Sequence, residues 1–361
     1  MKLIIPALTL AFLAGDGVEL KTDYAAGRAL RIETNSTFTL ETVDMSITVD
    51  GEEREGFGTG ARSSQARRIV QVDRVIAATD GAPTKLQRSF EEVSAGGSMS
   101  FGDQEQEIEQ ECPLSETVLE LELDDGEVVA KMTEGGSVDD ELLEGHSLEL
   151  ALAALLPDGE IAEGEEYEIE GDALIRALEA DMDAIYYPRP PREERGERGQ
   201  GGRALQGQGG RGRGMRGRGV GMAQLLQAGD WDVTGTLEAL EGEFDGTPCA
   251  VITIEITGDG EIAEPERGEG GGRGGRGGRA VSAPGKVQAL LATNFDLQAE
   301  GKLYFSIESK RPVALELEGE VSIESERVRS RGDSEMVMTS SQEGEFTHRV
   351  VLTELEDESA E

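Results

Sequence analysis

Apolar and polar residues alternate along much of this chain, at the two-residue period that sends successive side chains to opposite faces of a strand. Met45 to Val49 alternates and stops at Asp50-Gly51, a pair suited to a tight turn. Val118 to Leu123 alternates Leu with Glu, Asp124-Asp125-Gly126 turns the chain, and Glu127 to Met132 returns it, the strongest hairpin signal present. A second pair runs from Trp231 to Leu240 and from Ala250 to Ile256, with a turn near Asp245-Gly246. Lys302 to Ser309, Val313 to Glu324 and Phe346 to Glu354 read as further strands. One face of these strands is apolar and the other acidic, which predicts an antiparallel sheet with one solvated side.

Two segments change period. Asp139 or Asp140 caps a predicted helix running to Leu156, with Leu142, Leu143, Leu150 and Leu155 on its apolar face and Pro157-Asp158-Gly159 as its stop. A second predicted helix spans Gly171 to Tyr187, with Leu174, Leu178, Met182 and Ile185 on one face and Pro188 after it. A short third is expected around Gly221 to Gln227. Such stripes usually face a core. The fold class expected is α+β, mainly β: a curved, half-barrel-like antiparallel sheet with two or three packed helices.

Charge then divides the chain. Arg189 to Gly219 holds nine Arg and three Glu, and Glu266 to Arg279 holds four Arg and two Glu, inside a chain of net charge −40. These tracts carry +8, so the rest carries −48. Glycine at this density keeps a backbone flexible, so both tracts are expected to be disordered insertions in the folded body. Arg211, Arg213, Arg216, Arg218, Arg273, Arg276 and Arg279 are the candidates for contact with a second copy or a polyanion. The tracts lack the interleaved aromatics on which single-stranded nucleic acid stacks, and the acidic remainder repels phosphate, so nucleic acid is a disfavoured partner. The scattered carboxylates fit a saline medium better than a calcium site.

The first fifteen residues carry one Lys, an apolar run and small residues at Ala14 and Gly15, the pattern of a signal peptide. An exported location, periplasmic or extracellular, is the expectation. The divisions expected are 1–15 as leader, 16–188 as a first β-rich half with two helices, 189–219 as the first insertion, 220–265 as a strand pair, 266–285 as a Gly/Arg loop and 286–357 as C-terminal strands. Cys112 and Cys249 could join the two halves as one disulfide in an exported chain; two isolated buried thiols are the other reading.

The run Cys112-Pro113-Leu114-Ser115, the acidic hairpin, Leu155-Leu156-Pro157-Asp158-Gly159-Glu160 and Glu163 to Ile169 resembles a group of uncharacterised exported bacterial proteins. Phe244-Asp245-Gly246-Thr247-Pro248-Cys249-Ala250 followed by Gly301 to Gly319 resembles them too. The resemblance implies export and a β-rich fold and carries no activity. The architecture is also similar to that of lipoprotein-carrier folds, in which helices close a half-barrel sheet.

Candidate chemistry is sparse. The chain has two histidines: His146, inside the first predicted helix, and His348, in the last strand in step with Phe346, Val350 and Leu352. Neither sits in a recognisable catalytic or metal-binding motif, and both read as structural or exposed. Asp124-Asp125-Gly126 and Gly258-Asp259-Gly260-Glu261 lack the ligand spacing of a calcium loop and read as turns. No catalytic residue, metal or cofactor is expected. The function expected is non-enzymatic: an apolar or amphipathic ligand held in the curved sheet, or a structural role in the cell envelope, with self-association or polyanion binding through the Arg/Gly tracts as the alternative.

Overall fold

A computed structural model describes residues 17–54, 59–102, 104–136, 138–187, 220–262, 288–331 and 334–355. In chain order its strands are β1 (Val18–Glu19), β2 (Ala29–Val49), β3 (Glu52–Arg54), β4 (Arg62–Thr79), β5 (Ala82–Phe101), β6 (Gln104–Glu111), β7 (Val118–Asp124), β8 (Glu127–Glu134), β9 (Glu160–Ile161), β10 (Glu166–Glu168), β11 (Gly229–Phe244), β12 (Thr247–Glu261), β13 (Gln288–Ser306), β14 (Arg311–Arg331) and β15 (Ser334–Leu355). Thirteen of them make one antiparallel sheet with the path β10-β11-β12-β13-β14-β15-β2-β4-β5-β7-β8, to which β3 and β6 add beside β2 and β5. β1 and β9 pair separately. The large sheet is curved and open, with different strands at its two edges.

Two meanders, one from each half of the chain, meet where β15 pairs with β2, in a register running from Met336↔Val49 to Leu355↔Ala29. Four hairpins turn on the same dipeptide: Asp50-Gly51, Asp80-Gly81, Asp125-Gly126 and Asp245-Gly246 all have positive φ at both residues. Those dihedrals match the twist of the flanking strands and tolerate only Gly, Asn or Asp well.

Alternation decides the faces. On β14 Leu315, Leu317, Val321 and Ile323 are buried while Glu318, Glu320 and Glu324 are exposed. The acidic positions thus form the solvated face. The apolar face is covered by short elements: 3-10 turns at Asp140–Leu143 and Ala151–Leu155, and the helices α1 (Gly171–Ala177), α2 (Asp183–Tyr186) and α3 (Met222–Ala228). One core packs Leu155, Leu174 and Leu225 onto β11 to β15 and β2; a second packs Leu142, Tyr186 and Tyr187 with Leu114 onto β4, β5 and β7.

Several expectations are corrected. The helix expected from Asp140 to Leu156 is two 3-10 turns, separated by a bend in which Gly145 has φ +75°. The one expected from Gly171 to Tyr187 breaks after α1, where Glu179 takes φ +53°. Both Leu stripes still face the core, because burial and not helical periodicity selects their apolar positions. Met45 to Val49 is the end of a strand of 21 residues. Gly258 to Glu261 is strand, not turn, and Gly258 and Gly260 lie where a side chain would strike Trp231 and Phe295.

Candidate functional site

The inner face of the sheet changes character along one row. Register places Leu317, His348, Ser36 and Arg67 side by side on β14, β15, β2 and β4. Above them lie α3 and the turn that follows α1. Between sheet and turn is a cleft lined by Phe38, Phe346 and His348 below, Met222, Ala223 and Leu226 of α3 above, and Leu178 and Ala180 at its side, with Gln65 and Arg67 also on its wall. It encloses about 470 Å³ including its open mouth.

Three bonds shape this cleft. Gln227 donates to the Ala180 carbonyl at 2.7 Å and ties α3 to the turn. Trp231 Nε1 donates to the Leu226 carbonyl at 2.9 Å and fixes the end of α3. On the floor, His348 Nδ1 lies 2.8 Å from the Ser36 hydroxyl. His348 is only 5 % exposed, and among the described residues its Nε2 has no hydrogen-bonding partner. A buried ring nitrogen left unpaired is costly unless water or a ligand reaches it. Burial alone drives its pKa down to about 4, so the ring is neutral at ordinary pH. Arg67 is occupied elsewhere: it pairs with Asp183 and lies 5.0 Å over the Tyr187 ring.

Behind the turn lies a buried polar cluster. Asp73 and Arg88 face each other on β4 and β5, and Arg88 also donates to the Ser147 carbonyl at 3.3 Å. Glu179, between the cleft-lining Leu178 and Ala180, turns its carboxylate inward, where Oε2 has no partner among the described residues. Burial raises its pKa to about 7 against the opposing pull of Arg88, with Asp181 and Asp73 adding to the rise. Tyr186 is raised well above its ordinary value, first by burial and then by Glu179. His146 is buried here in the bend between the 3-10 turns, not inside a helix, with Nε2 3.2 Å from the Leu142 carbonyl. Its pKa falls to about 4, through burial and then Arg88. The cluster has acids and bases but faces the packed second core, so we describe it as a clasp between sheet and cap.

The residues singled out from sequence fall apart in space. Cys112 and Cys249 are free thiols, each buried, so of the two readings the disulfide is not formed. Cys112 belongs to the second core, whereas Cys249 sits at the start of β12 with its Sγ 3.2 Å from the Thr247 carbonyl. Burial raises both thiol pKa values, which makes them poor nucleophiles. Arg211, Arg213, Arg216, Arg218, Arg273, Arg276 and Arg279 lie outside the described residues, as does the leader-like segment. Among the described residues no group of three or more His, Cys, Asp or Glu is placed to hold a metal ion, and no helix is long and apolar enough to cross a membrane. A second cavity, lined by Tyr24, Arg28 and Arg311, has room for little more than a water molecule, and Nε and Nη1 of Arg311 have no partner among the described residues.

Sequence reasoning saw that His348 shares a face with Phe346 and Val350. It missed Ser36 and Arg67, because cross-strand partners some 300 positions away carry no local signal. It also missed the clasp, whose inward Asp73 and Arg88 look like ordinary surface charges in a strand.

No protein-family model matches the chain, and no curated protein matches its sequence. Among solved structures, lipovitellin, in a study of its lipid–protein interactions, is similar at 7 % identity with a TM-score of 0.30 over 92 % of this chain. The chain spans 25 % of the length of that protein. The outer membrane protein OprG from Pseudomonas aeruginosa is similar at 6 % identity and a TM-score of 0.22, over 93 % of this chain and 99 % of its own. An outer membrane channel from Pseudomonas putida F1 is similar at 8 % identity and 0.18, over 94 % of this chain and all of its own. Scores this low carry no argument about ligand or location. The established result is architectural: a large, open, curved antiparallel sheet with one face capped.

Proposed function

We propose that this chain is an exported, non-enzymatic protein that holds an apolar or amphipathic molecule between the inner face of its sheet and α3. The observation that carries the reading is the cleft itself: Phe38, Phe346, Met222 and Leu226 line it together with Ser36, Thr37, Thr347 and His348, and the His348 Nε2 is buried with no partner among the described residues. Small-molecule sites combine mostly apolar lining with a few placed polar groups in this way. The cleft is narrow, so taking up a larger guest requires α3 to move outward. Export rests on the leader-like pattern of the first fifteen residues.

Nile red, an uncharged fluorophore that brightens in apolar surroundings, tests this. Delipidated protein is expected to enhance its emission saturably, at one site. Met222→Trp, which fills the cleft from its half-exposed lip, is expected to weaken uptake at least tenfold while leaving the fold intact. Absent saturable enhancement, or uptake unchanged by that substitution, contradicts the reading.

A further inference from the structure

We infer that the cleft selects an uncharged amphiphile with a hydroxyl head, such as a long-chain alcohol or a hydroxyl-bearing glyceride, over the corresponding carboxylate. The inference rests on the proposed function and names the chemistry of the same site.

Three observations support it. First, the polar group on the floor is a neutral imidazole whose free atom is Nε2. Its bond to Ser36 permits either tautomer, depending on which of the two donates. If Ser36 donates to Nδ1, Nε2 carries the proton and needs an acceptor; if Nδ1 donates to Ser36, Nε2 needs a donor. A hydroxyl satisfies both cases, whereas a carboxylate satisfies only the first.

Second, among the described residues no uncompensated cation lines the cleft. Among the described residues Arg67 is the one charged side chain lining the cleft, and Asp183 already balances it. A carboxylate moved from water to this position would lose its hydration without gaining a counter-charge. The net charge of −40 adds a repulsive field for any anionic amphiphile that approaches. Third, the apolar chain of such a molecule has Phe38, Phe346, Met222 and Leu226 to lie against.

The test is displacement of Nile red by 1-decanol and by decanoate at pH 8, using the full chain after delipidation. In the wild type decanol is expected to bind at least tenfold tighter than decanoate. His348→Phe is expected to weaken decanol about tenfold relative to Nile red, the worth of one well-placed hydrogen bond. His348→Gln, which can still donate and accept, is expected to restore most of the loss. Decanoate binding as tightly as decanol, or His348→Phe leaving their ratio unchanged, overturns the head-group assignment alone. A protein that takes up neither Nile red nor either amphiphile overturns the reading of the cleft beneath it.

Discussion

Arg88 and Asp73 form a two-armed pair across β4 and β5, with Nε 2.8 Å from Oδ1 and Nη2 2.7 Å from Oδ2. Both side chains are buried, at 7 % and 6 % exposure. The pair stands on the inner face of the sheet and reaches the cap through Ser147. Removing one arm strands the other charge, so Arg88→Ala or Asp73→Ala is expected to cost about 3–5 kcal/mol. Replacing both, as Asp73→Leu with Arg88→Met, is expected to recover most of that. Urea denaturation of the three variants checks it; a double variant as unstable as either single one contradicts the account.

Acid and base act on the clasp in opposite senses. Glu179 has a folded pKa raised to about 7 from 4.5, so the stability it contributes is full below 4.5 and lost as pH rises through 7. His146 and His348 are lowered to about 4 from 6.5, so their contribution is full above 6.5 and lost as pH falls through 4. Stability is expected to peak where the two windows meet, near the ordinary histidine value of 6.5. The Glu179→Gln variant should lose the decline on the alkaline side of that peak and keep the acid limb. Urea midpoints measured across this range decide the matter, and an unchanged alkaline decline would count against the role given to Glu179.

The thiols offer a check on the cores. Cys112 and Cys249 are buried and unpaired, with raised pKa values. A thiol-specific reagent is expected to react slowly with the native protein and to titrate both cysteines once guanidinium is added, with no reductant present. Finding no free thiol in guanidinium would show the disulfide formed after all.

Strand identity was legible wherever one face stayed apolar. The hairpin around Asp125-Gly126 and the pair around Asp245-Gly246 were readable because alternation and turn chemistry agree there. β4 and β5 were not, since their inward positions include Gln71, Asp73 and Arg88, which meet the polar clasp and break the apolar period. β2 was read only at its end because Thr34, Ser36 and Thr42 occupy inward positions. The Leu stripes of the cap predicted burial correctly and helix length wrongly, for packing against a sheet needs apolar contacts, not continuous helix. His348 could be placed on the inner face from its neighbours; its free nitrogen and the cleft above it arise only from tertiary structure.

Long-range proton–nitrogen NMR of the imidazole rings tests the central claim most directly, because the chain has two histidines. Decanol added to delipidated protein is expected to shift the His348 Nε2 resonance saturably while the His146 ring, in the clasp behind the turn, stays put. Bound decanol with the His348 ring unchanged would contradict the account.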